Sequence, residues 1–98
     1  MFDGKRYTTN GVIDKIPSYL QNVLWYMVEI LPEPKDYFQV FELEEFNYIN
    51  KVKQKITHIQ ENPEYKKEHI IPVYSAVKCK VYIIDDGDHS TMLMAEEY

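Results

Sequence analysis

The densest run of ligand-type side chains in the sequence is Asp85-Asp86-Gly87-Asp88-His89. Carboxylates and an imidazole held this close are the donor set for a divalent cation, and Glu96 or Glu97 could add to it. The spacing does not match a calcium loop, which needs acidic or amide residues at alternate positions before its glycine and a glutamate at a set distance after it. Paired histidines at helical spacing are also missing, so zinc hydrolase chemistry has no support. A small metal-dependent enzyme using Asp85, Asp88 and His89 is therefore the alternative reading. The simpler one is a tight turn, because Asp-Gly pairs adopt positive φ at low cost. No catalytic residue, metal ligand or cofactor is assigned.

The turn needs strands on either side. Val77 to Ile84 reads as a strand and Ser90 to Ala95 as its partner, a C-terminal β-hairpin. With Asp86-Gly87 as the two central residues, Asp85 pairs with Asp88, Ile83 with Ser90, Val81 with Met92 and Cys79 with Met94. That register gathers Val77, Cys79, Val81, Ile83, Met92 and Met94 on one apolar face. Cys79 is then a small buried side chain, with no base in view to make it a nucleophile.

The main helix should run from Pro17 to about Leu31. Proline suits a first helical position, and Pro32 and Pro34 end the run. At about 3.6 residues per turn, Leu20, Val23, Leu24, Met27, Ile30 and Leu31 form the stripe that faces a sheet. Trp25 falls among Ser18, Asn22 and Glu29 on the opposite side, with Tyr26 at its flank. A large ring at such a place is either covered by another segment or anchors a partner. The sequence-based partner-binding set is Trp25, Tyr26, Asp85, Asp88, Glu96 and Glu97.

Lys5 to Thr9 reads as a first strand ending in an Asn10-Gly11 turn, and Tyr37 to Leu43 as a central strand with apolar groups on both sides. Glu44 to Asn50 reads as a connection, and Val52 to Glu61 as a strand with one wet face. After Asn62-Pro63-Glu64, Tyr65 to Ile71 is a strand or one to two helical turns, the strand being preferred. One helix followed by several closely connected strands gives an α+β fold, a mainly antiparallel sheet with the helix packed on one face. Gly4, Gly11 and Gly87 are scattered, so no glycine loop cradles a phosphate.

At 98 residues the chain suits one domain, with 45% hydrophobic and 28% charged residues as in a globular protein. A formal charge of −5 disfavours phosphate binding. Lys51, Lys53, Lys55, Lys66 and Lys67 could still share a face as a local nucleic-acid patch, the lowest-ranked reading. Solvated lysines that guard a sheet edge explain them more simply. A single cysteine precludes an internal disulfide, and no apolar run reaches the roughly 20 residues of a membrane span, so the expected setting is the cytoplasm. Nine tyrosines suit half-buried strands and binding surfaces alike.

Arg6 to Val12 (RYTTNGV), Ile16-Pro17, Leu24-Trp25, Tyr37 to Leu43 (YFQVFEL), Glu61 to Ile70 (ENPEYKKEHI) and above all Ile84 to Tyr98 (IDDGDHSTMLMAEEY) carry a resemblance that covers nearly the whole chain. On these motifs it resembles a family of uncharacterised proteins from Firmicute bacteria and their phages, known as domain of unknown function 960. It implies no activity, cofactor or site residues. The expectation is a noncatalytic module that binds an unidentified protein, in a sharper form a phage-related modulator of a host factor.

Overall fold

Six segments rich in β-branched and aromatic residues pair into one sheet in the computed structural model, which describes residues 1–98. They are β1 (Lys5–Thr8), β2 (Phe38–Tyr48), β3 (Lys51–Gln60), β4 (Tyr65–Pro72), β5 (Cys79–Asp85) and β6 (His89–Met94), in the spatial order β1-β6-β5-β2-β3-β4. Every pairing is antiparallel except that of β1 with β6. The short helix α1 (Asn10–Lys15) and the longer α2 (Ser18–Ile30) occupy the connection from β1 to β2. The fold is α+β, as the order of patterns in the sequence indicates.

Because side chains alternate across a strand, each register assigns them to two faces. Phe41 and Leu43 of β2, Ile56 of β3, Val81 and Ile83 of β5, and Met92 and Met94 of β6 all point to the side where α2 presents Leu20, Leu24 and Val28. These residues are buried in one hydrophobic cluster, each contributing roughly 1.5–3 kcal/mol of transfer free energy. Buried amides tie the connections to it. Gln54 donates from Nε2 to the carbonyls of Glu44 and Val77 and accepts from the Val77 N–H, which holds the β4–β5 connection against the sheet. Gln60 Oε1 accepts from Gln39 Nε2 at 2.7 Å and from the Asp36 N–H at 3.0 Å.

Four details of the sequence reading are corrected. Asn10-Gly11 opens α1 instead of turning the chain, because Thr9 caps the helix: its Oγ1 accepts from the Val12 N–H at 3.3 Å. The main helix begins at Ser18, with Pro17 as its cap residue. Its buried side carries Val28, while Ile30 is exposed. Glu44 to Tyr48 continues β2 and is not a connection; only Ile49 and Asn50 turn the chain, with φ of 49° and 60°. Positive φ at both central residues matches the right-handed twist of the strands. Asparagine accepts this conformation readily, whereas it costs a β-branched isoleucine about 1 kcal/mol.

The terminal hairpin exists, but in another register. Asp85 pairs with Ser90, Ile83 with Met92 and Val81 with Met94, and the Asp86 N–H donates to the His89 carbonyl. Its central residues are therefore Gly87-Asp88, with Gly87 at φ +100°. Glycine at the first central position is what a II′ turn requires, and that preference wins over Asp86-Gly87 at the centre. The alternation of faces survives the shift. Gly4 is fixed by the same turn, since a Cβ there would stand 2.1 Å from the Asp88 carbonyl oxygen.

Candidate functional site

The Asp85 to His89 cluster does not converge on a point. Asp85, opposite buried Ser90, faces the helical side of the sheet, and His89 faces the other. His89 Nδ1 lies 2.7 Å from Asp88 Oδ1 and its Nε2 lies 3.4 Å from Asp86 Oδ2. The hydrogen bond with Asp88 raises the imidazole above its ordinary range and lowers the carboxylate below its own. These groups satisfy one another at an exposed turn. Asp85 Oδ1 and Ser90 Oγ are buried without a hydrogen-bond partner. No three His, Cys, Asp or Glu side chains are arranged to hold a metal ion.

Trp25, on the polar side of its helix, is buried, 7% exposed: of the two readings of its place, the ring is covered by another segment. The covering group comes from β1. Arg6 shares the helical side with Ser90 and Met92, and its guanidinium lies over the indole at 4.8 Å while pairing with Glu29 at 2.5 Å. Replacing Arg6 with alanine is expected to shift the emission of this single tryptophan to longer wavelength and to cost about 1 kcal/mol in urea unfolding. Tyr26 remains exposed on the outer side of α2.

The acidic tail is engaged within the chain. Glu97 accepts from Thr9 Oγ1 at 2.6 Å and from the Met94 N–H at 2.8 Å, contacts that hold its carboxyl below the usual range. Glu96 pairs with Lys15 at 2.8 Å. Both glutamates therefore bind the last turn to α1, a role that composition alone did not reveal. Cys79 is half-buried beside the core, and burial pushes its thiol up. Of the six residues named from sequence, Tyr26 is exposed with no side-chain partner in the chain, while Asp88, Glu96 and Glu97 are exposed but bonded to other side chains.

The structure brings forward a surface that the sequence did not. Both helices lie on one side of the sheet, so the other side has no covering layer. Phe38 and Val40 of β2, Ile59 of β3, Tyr82 and Ile84 of β5 and Leu93 of β6 form a partly exposed apolar row across it. Phe38, Tyr82 and Tyr98 meet with ring centroids 4.8–5.5 Å apart. Beside them lies a groove of about 400 Å³ walled by Asp36, Glu61 and Lys80. Lys51, Lys53, Lys55 and Lys66 do share this face, but Lys67 points to the helical side.

A family model described as a Staphylococcal protein of unknown function, DUF960, matches residues 5–97. The chain belongs to the DUF960 family. Its fold is also that of a protein of unknown function from Enterococcus faecalis, known from a crystal structure: TM-score 0.79 at 27% identity, covering 98% of this chain and 92% of that one. No curated protein matches.

For this DUF960 member, no three His, Cys, Asp or Glu side chains converge as a metal-ligand set. What it offers is contact area. The available signal in the sequence was Tyr37 to Leu43, apolar on both sides. A single 13-residue main helix can cover only one of them.

Proposed function

We infer that this DUF960 chain is a noncatalytic protein-interaction module whose docking surface is the uncovered sheet face. The observation that carries this reading is the row of Phe38, Val40, Ile59, Tyr82, Ile84 and Leu93, half-buried on a side where neither helix packs and Tyr98 rests against Phe38 and Tyr82. A contiguous apolar patch framed by polar side chains is the anatomy of a recognition surface, with aromatic rings as its usual anchors. The free thiol of Cys79 supports a reducing, cytoplasmic setting.

Site-specific photocrosslinking tests the assignment. A benzophenone side chain at position 82 is expected to give a saturable protein adduct in cells, and the same group at Tyr26, on the outer side of α2, is expected to give none. Adducts from position 26 with none from position 82 would move the interaction to the helices and overturn the reading.

A further inference from the structure

The charges on the uncovered face differ in sign from those of the chain as a whole. At strand positions pointing outward stand six lysines, Lys5, Lys51, Lys53, Lys55, Lys66 and Lys80, against three glutamates, Glu42, Glu44 and Glu68. Its strand positions are therefore net positive on a chain whose formal charge is −5, with Asp36 and Glu61 adding negative charge at the rim alone. Its one lysine–carboxylate pair joins Lys55 to Glu68 at 3.7 Å, and Lys80 lies 5.9 Å from the Tyr82 ring centroid. Lys5, Lys51, Lys53 and Lys66 have no carboxylate within ion-pair distance.

Resting on the docking reading above, we propose that this face receives an acidic polypeptide segment with apolar anchors. The apolar row takes the anchors, and the flanking lysines on β3, β4 and β5 take the carboxylates. Complementary charge of this kind sets partner choice and association rate. A second copy of the chain docked face to face would bring like charges together. A nucleic-acid strand would present a phosphate at every step, yet Glu42 and Glu44 stand on the midline strand and Asp36, Glu61 and Asp88 at the rim. A peptide can place its carboxylates to avoid them; a phosphate backbone cannot.

Amide chemical-shift mapping of the intact chain decides the matter with three probes: a short peptide of leucine and phenylalanine anchors spaced by glutamates, its lysine counterpart, and an oligouridylate. The glutamate peptide is expected to perturb β2, β3 and β5, to bind more weakly as salt is raised, and to lose about tenfold in affinity when Lys53→Glu and Lys80→Glu are combined. The amide spectrum of that variant reports directly whether it is folded, and Tyr82→Ser is a second variant that removes an anchor without altering charge. If the lysine peptide perturbs the same residues equally well, the acidic class is wrong while the docking face stands. If oligouridylate alone binds there, the face is a nucleic-acid platform and the proposal falls. Absence of glutamate-peptide binding, together with a crosslink at position 82, rejects the acidic class alone; absence of both rejects the docking reading as well.

Discussion

Lowering the pH from 6.5 to about 4 is expected to remove about 3 kcal/mol of folding stability through His58. His58 is 1% exposed, with Nε2 2.6 Å from Gln39 Oε1 and its ring stacked on Phe41 at a centroid distance of 4.4 Å. Burial, with His69 adding a smaller repulsion, pushes its pKa from 6.5 down to about 4. Above pH 6.5 both folded and unfolded states hold it neutral, and it contributes no pH dependence. Between the two values the unfolded chain takes up a proton that the native state refuses, so stability falls with pH and levels off for this group below about 4. His69, also lowered, acts in the same direction; His89, raised, opposes it, since its stabilisation is present below 6.5 and is lost as pH rises through its folded value. Urea midpoints at intermediate pH values measure the slope, and His58→Gln, which keeps an amide donor toward Gln39, is expected to flatten it. An unchanged slope in that variant would assign the acid sensitivity to other groups.

Truncating the ring beneath that histidine has the largest expected cost of any single substitution. Phe41 is fully buried and stands on the central strand β2, in one cluster with residues from α2, β3, β5 and β6. Phe41→Ala removes its transfer free energy and leaves a cavity that the flanking strands cannot close, a loss of about 3–5 kcal/mol. A domain of this size has roughly 5–15 kcal/mol in total, so the variant is expected to be marginal at neutral pH. Urea unfolding at pH 7 gives the loss. Phe41→Leu, which retains most of the volume, should cost less. The two predictions are coupled, because opening the stacked face of His58 to solvent should return its titration toward 6.5.

The alternation that buries Phe41 was legible from the sequence, as were the β5–β6 hairpin faces and most of the α2 stripe. A period of two or of 3.6 is a local property, and local patterns survive in a single sequence. The errors arose where a distant segment decides the outcome. Its own helix places Trp25 among polar residues, and what covers it is Arg6, on a strand with no local link to that helix. Glu96 and Glu97 read as a free acidic tail until Lys15 and Thr9 met them. The uncovered face was obscured for the opposite reason. Apolar residues on both sides of Tyr37 to Leu43 indicate a central strand, and only the topology, with both helices on one side, leaves Phe38, Val40 and Tyr82 uncovered.

The parallel pairing of β1 with β6 joins residues 84 positions apart, Lys5 with His89 through Thr8 with Met92. A pairing over so long a separation is expected to be among the last to form. β2, β3 and β4 follow one another through short turns and can assemble as soon as they emerge, since closing a short loop costs little entropy. The two helices must wait with their apolar sides unsheltered until β5 and β6 complete the floor beneath them. Over that interval Leu20, Leu24 and Val28 lack Val81, Ile83, Met92 and Met94, the partners that bury them in the folded chain.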